Sequence, residues 1–414
     1  MPLQLISALG LVVLIAVAWA GSMHRDRFPW RTVLSGLALQ FAFAILILKT
    51  PFGAPVFDAA REAVNQLSVY ADQGSAMVFG PLASSDKMGI IFGKGSVVFA
   101  TILISTIIVV SSLSSFLYHY GILQKVVHAF AWVMQRVMRT SGSESLAAAS
   151  NVFLGTTEAA LIIRPYLPRM TPSELHALIV TGMASIAVSV FAVYANMGIV
   201  AGHLLAASVL SAPAGLMMAK VLFPETLESE TAAGHSTSVE RDTVNGFDAL
   251  CRGASDGMML ALNVIAMLVA FVAAVALING LLAWPQHAAG IANPVTLQKV
   301  FGWINWPFAW LMGIPTQDCA KVGQVLGERI ALNEFIAYID LSQLKDSISE
   351  RSYIIATYAL CGFANFSSIA IAIGGIGALA PERRGDLARL GLRAMIGGLG
   401  ATYTMACIAG ILIK

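Results

Sequence analysis

The hydrophobic pattern of the chain is a series of long apolar runs separated by shorter polar segments. A helix needs about 20 apolar residues to cross a bilayer core about 30 Å thick. Eight runs approach this length and predict eight membrane-spanning helices. They lie near 3–20, 33–49, 91–117, 174–199, 203–222, 258–283, 352–373 and 388–413. The pattern predicts an all-α integral membrane protein.

The order of charges around the first run gives an orientation. Arginines follow residues 3–20, and no positive charge precedes them. A cleaved signal peptide carries its positive charge ahead of the apolar run, so we predict a first span with the N-terminus outside. The basic segments 25–31, 125–139 and 383–393 then all fall on the cytoplasmic side, as the positive-inside rule requires.

Two segments between the runs have patterns of their own. Residues 122–139 place apolar side chains at helical spacing on one face and Lys125, Arg136 and Arg139 on the other. This predicts a basic amphipathic helix at the cytoplasmic interface, and a helix packed against other protein is the alternative. The segment from Pro224 to Asp248 is polar and rich in Ser, Thr and Glu, which predicts a mobile connection without chemistry.

The composition narrows the class of protein further. Of the 414 residues, 57% are hydrophobic and 12% are charged, against roughly 25% charge in soluble domains. A formal net charge of +2 gives no electrostatic basis for binding nucleic acid. The sequence has no C-x-x-C pair and no recognisable Ser/His or Cys/His constellation, so we expect neither an enzyme nor an enzymatic cofactor.

Two parts of the chain share one layout, which indicates an internal repeat. Residues 141–199 and 313–375 each begin with a polar, glycine-interrupted segment, 141–165 and 313–345, and continue into an apolar helix that is itself interrupted. We predict that the polar segments are re-entrant hairpins, which a membrane protein tolerates where protein or water surrounds them. The orientation makes the repeats inverted, an arrangement typical of secondary transporters with a site near the membrane midplane.

Each interrupted helix is preceded by a start signal. Thr171–Glu174 and Ser347–Glu350 both fit the capping box, in which a Ser or Thr side chain and a Glu three residues later satisfy the first free amides. The first of these also has a proline at the first helical position. We therefore predict helix starts at both places.

Two of the four glutamates in the predicted hairpins, Glu158 and Glu334, are candidates for the site. A carboxylate inside a membrane segment costs several kcal/mol, so it is a functional candidate by default. Glu158 and Glu334 hold similar positions in the two repeats, which predicts one cavity with carboxylate acceptors for a cargo rich in hydroxyl or amino donors. The structural alternative is that each caps a helix end or pairs with an arginine such as Arg164 or Arg329.

The interrupted helices carry a second set of polar residues. Asn365, Ser367 and Ser368 lie in the second interrupted helix and Ser185 in the first. Unwound turns free backbone carbonyls, and carbonyl, amide and hydroxyl oxygens together suit a hard cation. This chemistry predicts a sodium ion near Asn151 and Ser185.

Five segments resemble the concentrative nucleoside transporters: 155–167 (GTTEAALIIRPYL), 170–177 (MTPSELHA), 182–190 (GMASIAVSV), 332–341 (LNEFIAYIDL) and 361–369 (CGFANFSSI). The resemblance covers nearly the whole chain from about residue 20. It implies a homotrimer with eight spans, one interfacial helix and two re-entrant hairpins. It also implies that nucleosides are imported with sodium or proton coupling.

The resemblance also implies roles for individual residues. The ribose contacts of the family would fall on Glu334, Asn365 and Ser368. The contacts on the base side would fall on Thr156, Thr157, Glu158 and Phe363, with Val190 lining the pocket. The sodium ligands would be the side chains of Asn151 and Ser185 and the carbonyls of Leu154 and Ile186.

The sequence departs from the family at two of its sites. Thr156 stands where the family usually has a glutamine that binds the base, and Val188 stands where glycine is common. The first departure leaves base selectivity open, and the second affects the shape of the pocket or the movement of the interrupted helix. The presence of Asn151 and Ser185 favours sodium over protons.

We therefore predict a sodium-coupled nucleoside symporter of a bacterial inner membrane, with elevator-type alternating access. The expected divisions are a scaffold at 1–121, the interfacial helix at 122–140, a first transport repeat at 141–200, further scaffold at 201–300, a second transport repeat at 301–375 and a last span at 376–414. Alternatives are a proton-coupled symporter, a symporter of a modified nucleoside or another hydroxylated solute, and a membrane enzyme that acts on a polar lipid.

Overall fold

A computed structural model of the chain describes residues 2–51, 53–83, 88, 98–231 and 243–413. Side chains are described within these ranges except at 54, 56, 60, 64, 99, 157, 158, 188, 189, 264, 267, 268 and 271. The regular structure of the described residues is entirely helical. This confirms the all-α prediction.

The described part of the chain forms seventeen α-helices. The first nine are α1 (Leu3–Ala20), α2 (Trp30–Lys49), α3 (Gly53–Phe79), α4 (Phe99–His119), α5 (Ile122–Met138), α6 (Gly142–Phe153), α7 (Thr156–Ile162), α8 (Pro172–Ala184) and α9 (Val188–Asn196). The remaining eight are α10 (Ala201–Leu222), α11 (Gly246–Ala288), α12 (Leu297–Leu311), α13 (Thr316–Ala331), α14 (Glu334–Gln343), α15 (Glu350–Leu360), α16 (Phe366–Leu379) and α17 (Arg384–Leu412).

Five segments in the described part are long and apolar enough to cross a membrane: α1, α2, residues 100–119 of α4, α10, and Pro381–Leu412, which contains α17. In the most apolar stretch of α10, 89% of the residues are buried inside the protein, against 22% in the corresponding stretch of α2. Helix α10 therefore lies at the centre, where it packs against α2, α6, α8 and α17. Helix α2 lies at the periphery, where Trp30, Leu34 and Leu46 are exposed.

Both predicted repeats appear as four consecutive helices in the same order. In the first repeat, α6 and α7 are separated by an extended break at Leu154–Gly155, and α8 and α9 by a break at 185–187. In the second, α13 and α14 meet at Leu332–Asn333, and α15 and α16 are separated by Cys361–Asn365. The second helix of each repeat is thus interrupted, as predicted.

The structure contains two helices that the hydrophobic pattern did not predict, and one longer than predicted. Helix α3 is long, but its sequence is too polar to predict a membrane span. Helix α12 has only 15 residues, with a proline inside it, so it is shorter than a typical span. Helix α11 runs from Gly246 to Ala288, well beyond the predicted 258–283. Segments outside the apolar runs become helical because tertiary packing, more than composition, stabilises them.

Helix α5 packs against the protein more than the interfacial prediction expected. Val127, Met134 and Met138 are buried, and the Phe130 ring lies 5.6 Å from the Phe153 ring. Trp132 remains exposed on the other side. The alternative, a helix that covers other protein, describes the apolar face of α5.

The predicted start of α15 was wrong by two residues, whereas that of α8 was right. Thr171 and Glu174 form a capping box in which both reciprocal hydrogen bonds are present. The cap of α15 is Ser349, whose side chain accepts a hydrogen bond from the Ser352 amide. Ser347 lies in the preceding turn and donates to the Leu344 carbonyl, so it is not part of a capping box.

Candidate functional site

The carboxylate of Glu334 lies where the two repeats meet. Glu334 is the first residue of α14, and the side chain of Asn333 caps that helix by accepting a hydrogen bond from the Ile336 amide at 3.0 Å. The break at Leu332–Asn333 therefore fixes the direction in which Glu334 leaves the backbone. The glutamate is 7% exposed.

Both carboxylate oxygens of Glu334 accept a hydrogen bond from the protein. The Tyr194 hydroxyl on α9 donates to Oε1 at 3.0 Å, and the Asn365 Nδ2 donates to Oε2 at 3.0 Å. Tyr194 belongs to the first repeat and Asn365 to the break of the second. The carboxylate thus joins α14 to the interrupted helices of both repeats.

Asn365 is held in place by the helix that follows it. Its Oδ1 accepts hydrogen bonds from the Ser368 amide at 2.9 Å, the Ser368 hydroxyl at 3.0 Å and the Ser367 hydroxyl at 2.7 Å. Asn365 is the N-cap of α16, so the cap geometry leaves its Nδ2 free to reach Glu334. The structure therefore brings together all three residues expected to bind ribose.

The breaks of the two interrupted helices pack directly against each other. A Cβ at Gly362 would lie 2.6 Å from the Met183 carbonyl oxygen and 3.0 Å from that of Ala184. Only glycine allows this approach between the two backbones. The unwound segment of one repeat is consequently in contact with the helix end of the other.

We call residues 185–187 the first break and Cys361–Asn365 the second break. Asn151 on α6, which contacts α8 ahead of the first break, carries a buried acceptor that has no partner among the described residues. Asn151 is fully buried and donates from Nδ2 to the Thr181 hydroxyl at 3.1 Å, but its Oδ1 is unpaired there. Ser185, also buried, follows the end of α8 and donates to the Gly182 carbonyl at 3.3 Å. Leu154 has extended backbone dihedrals beside them. A buried amide oxygen is usually paired with a donor, an ordered water or an ion.

The remaining predicted site residues are placed as follows. Thr156 begins α7 and packs over Gly182, where an added Cβ would lie 2.5 Å from the threonine Cγ2. Val190 is buried on α9, and Phe363 is half-buried within the second break. Thr157 and Glu158 lie on the backbone of α7, but their side chains are outside the described residues, as is that of Val188.

Two residues at this site were not predicted for it. Tyr194 could not be recognised as a site residue from the sequence, because a single tyrosine in an apolar helix is not unusual. Arg329 was named only under the structural alternative, as an arginine that could pair with Glu334, and in the structure its Nη1 donates instead to the Ala359 carbonyl and to the Thr402 hydroxyl. The described residues contain no ion pair between Arg329 and Glu334.

A second polar cluster corrects the prediction for the segment after Pro224. Lys220 forms a buried ion pair with Glu144 and donates to the Ser173 hydroxyl at 2.8 Å. Ser229 donates to Glu174, and the Thr231 carbonyl accepts from the Gly142 amide at 3.0 Å. Residues 224–231 are therefore bound to the ends of α6 and α8, while 232–242 lie outside the described residues. A cavity of about 680 Å³ opens beside this cluster.

The fold and the site together define a secondary transporter: apolar helices, two four-helix repeats with interrupted helices, and a buried polar site between them. Comparison with protein families places the chain more narrowly. Residues 9–82 and 203–410 match the N- and C-terminal models of the Na⁺-dependent nucleoside transporters, and 100–201 match a nucleoside recognition model. The chain belongs to the family of concentrative, Na⁺-dependent nucleoside transporters.

Individual relatives agree with this placement. An uncharacterized transporter of Haemophilus influenzae is 44% identical over 413 residues, covering 98% of this chain and 97% of that protein. The sodium/nucleoside cotransporter 1 of Mus musculus is 38% identical over 99% of this chain, which spans 64% of the longer mouse protein. These relatives are transporters, which confirms that the chain is not an enzyme.

Solved structures of the transporter CNTnw have the same fold. The inward-facing, substrate-bound structure is 37% identical with a TM-score of 0.92, and the comparison covers 100% of both chains. A variant in an outward-facing state has a TM-score of 0.93 at 38% identity, covering 99% of this chain and 97% of that one. Further structures capture intermediate states of the same transporter.

Proposed function

We propose that the chain imports nucleosides by symport with sodium and that Glu334 is the main ligand of the ribose. The observation that carries this proposal is the pair of hydrogen bonds by which Tyr194 and Asn365 hold a buried carboxylate at the junction of the repeats. Burying a carboxylate is expensive. The hydrogen bonds from Tyr194 and Asn365 offset only part of this cost. A cargo that donates further hydrogen bonds to Glu334 would offset more of it.

The unused acceptor capacity of Glu334 suits a sugar. An ionised carboxylate offers about four lone-pair sites, and the protein occupies two of them. The two vicinal hydroxyls of ribose can donate to the two that remain. Ser368 and Asn365 add hydroxyl and amide groups on the same side, so they are the proposed second and third ribose ligands.

The sodium ion is proposed to bind at the first break. Hard cations prefer oxygen ligands, and Asn151 Oδ1 is a buried oxygen without a partner among the described residues. The Ser185 hydroxyl and the carbonyls of Leu154 and Ile186 complete the proposed ligand set. The described residues hold no group of three or more His, Cys, Asp or Glu side chains, so neutral oxygens are the basis of this proposal.

The base of the nucleoside is proposed to lie toward α7 and the second break. Its contacts would be Thr156, Thr157, Glu158 and Phe363, with Val190 on the wall of the pocket. Thr156 has one hydroxyl where the family has a longer amide, and it already packs over Gly182. We therefore expect weaker discrimination between bases at this position.

The larger assembly is proposed by similarity to the family. The repeats 141–200 and 301–375 would move as the transport unit, and the scaffold 1–121 and 201–300 would remain in place with the last span 376–414. Inward-facing, intermediate and outward-facing structures of CNTnw support such a movement. We place the protein in a bacterial inner membrane as a homotrimer, with two re-entrant hairpins, and assign residues 122–140 to its cytoplasmic side.

Uptake into proteoliposomes tests the function directly. Purified protein is reconstituted, and labelled uridine, adenosine and guanosine are supplied with an inward sodium gradient, an inward proton gradient or neither. We expect accumulation above equilibrium only with sodium. Accumulation driven by protons alone would overturn the sodium assignment, and no uptake of any nucleoside would overturn the substrate class.

A further inference from the structure

Arg329 is a fully buried cation that the transport mechanism described so far does not use. It is 0% exposed and is the third residue from the C-terminal end of α13. Its Nη1 donates to the Ala359 carbonyl and, at 2.9 Å, to the Thr402 hydroxyl. Nε and Nη2 have no partner among the described residues.

Asn151 holds the same place in the first repeat. It is the third residue from the C-terminal end of α6 and is also 0% exposed. Each residue reaches from the first hairpin helix to the interrupted helix of its own repeat: Asn151 to Thr181 on α8, and Arg329 to Ala359 on α15. The repeats thus present a neutral side chain with an unpaired acceptor at one break and a permanent cation at the other.

The C-terminal end of α15 needs a positive partner. The last four carbonyls of a helix have no intrahelical donor, and the helix dipole places partial negative charge there. Ala359 is the penultimate residue of α15, so its carbonyl is one of these four. The guanidinium satisfies this carbonyl and brings a full positive charge, as basic side chains do at helix ends. The end of α8 lacks a comparable cation from α6, where the corresponding residue is Asn151.

We propose that Arg329 is a positioning residue that serves as the fixed cation of the second break, in place of a sodium ion there. Arg329 holds the end of α15 and the Cys361–Asn365 segment, from which Asn365 reaches Glu334. It thereby acts on nucleoside affinity without contacting the nucleoside. The inference rests on the proposed function in one respect, namely that the first break binds sodium.

The test measures nucleoside and sodium binding separately on purified protein in detergent. Uridine affinity is measured by titration calorimetry at saturating sodium. Sodium affinity is measured without uridine, from the sodium concentration that gives half of the maximal thermal stabilisation. We expect Arg329→Met to weaken uridine binding at least about 10-fold, the scale of a lost hydrogen bond to a charged group. Its half-saturating sodium concentration should stay within about 2-fold.

Matched variants separate positioning from general damage. Arg329→Lys keeps the charge and should recover part of the uridine affinity. Thr402→Val removes the side-chain partner of Nη1, together with the local bond from Thr402 to the Leu399 carbonyl, and keeps the Ala359 contact, so it should weaken uridine binding less than Arg329→Met does. An unchanged uridine affinity in Arg329→Met, or a parallel loss of sodium and uridine affinity, would overturn the proposal.

A second measurement uses the unsubstituted protein and does not depend on how Arg329→Met folds. Sodium activation of uridine uptake should follow a single-site curve, with a Hill coefficient of about 1. A coefficient near about 2 would require a second sodium and would overturn the fixed-cation assignment. Failure of the unsubstituted protein to bind uridine or sodium at all would refute the proposed function instead, so the two failures are distinguishable.

Discussion

Tyr194 donates a hydrogen bond to the Glu334 carboxylate across 3.0 Å, and this contact joins residues 140 positions apart in the chain. Tyr194 is fully buried, and its ring stacks 4.5 Å from that of Tyr338. The stacking limits where the hydroxyl can point. The contact therefore orients the carboxylate from the first repeat, while Asn365 orients it from the second.

Replacing Tyr194 with phenylalanine removes this bond and leaves the ring packing intact. A hydrogen bond to a charged group contributes about 1.5–3 kcal/mol, so we expect uridine affinity to fall by about 10-fold or more. The measurement is titration of Tyr194→Phe with uridine at saturating sodium. Tyr358→Phe is the matched control, because Tyr358 is equally buried but contacts His203 at 3.3 Å. Equal effects in both variants would contradict the orienting role.

Glu334→Gln should abolish concentrative uptake. The amide replaces one acceptor oxygen with a donor, which opposes Asn365 Nδ2 or Tyr194 and cannot accept from ribose hydroxyls. We expect at least about 100-fold loss in kcat/KM for uridine, equivalent to about 2.7 kcal/mol. Glu328→Gln makes the same change at another buried glutamate, six residues earlier, which contacts Gln324 and Asp340. Uptake that survives in Glu334→Gln would refute the role of Glu334.

Asn151→Ala should weaken sodium dependence and spare uridine binding at high sodium. The substitution removes the buried Oδ1 that is proposed to bind the ion. We expect the half-saturating sodium concentration for uptake to rise at least about 10-fold. Ser150→Ala is the neighbouring control, since the Ser150 hydroxyl bonds back to the Leu146 carbonyl. An unchanged sodium dependence in Asn151→Ala would exclude this residue as a ligand.

Lys220→Met should destabilise the folded protein with little direct effect on the nucleoside site. The substitution leaves Glu144 as a buried carboxylate without its cation, a change that costs about 3–5 kcal/mol. Thermal unfolding in detergent should show a clear drop in Tm. Lys321→Met is the control, because Lys321 is exposed and bonds only to the Ser347 carbonyl in the described structure. Adding Glu144→Gln to Lys220→Met should recover part of the loss.

Several features of the fold were predictable because they are written in local sequence. The apolar run at 3–20 becomes α1 at the same residues, and the capping box at Thr171–Glu174 starts α8. The second helix of each repeat is interrupted because glycine and polar residues stand within its apolar run. These features depend on neighbours a few positions apart.

Features that depend on distant partners were missed or misplaced. Helix α3 is polar enough to resemble a connection, yet it forms a long helix against α4 and α10. Residues 224–231 have the composition of a loose loop but are bound to Glu174 and the start of α6. The cap of α15 is Ser349, which also donates to Asp318 at 2.9 Å, a contact that sequence spacing does not reveal.

The sequence by itself determined that the chain is a helical membrane protein with two similar repeats, and that the second repeat has a glutamate within a membrane segment. Hydrophobicity and capping act over one or two helical turns, so they are legible in the order of residues. Only the tertiary structure decided that Glu334 meets Tyr194 and Asn365, and that Arg329 turns to the end of α15. Those choices are made by packing between segments far apart in the chain, where each buried polar group must find its partner.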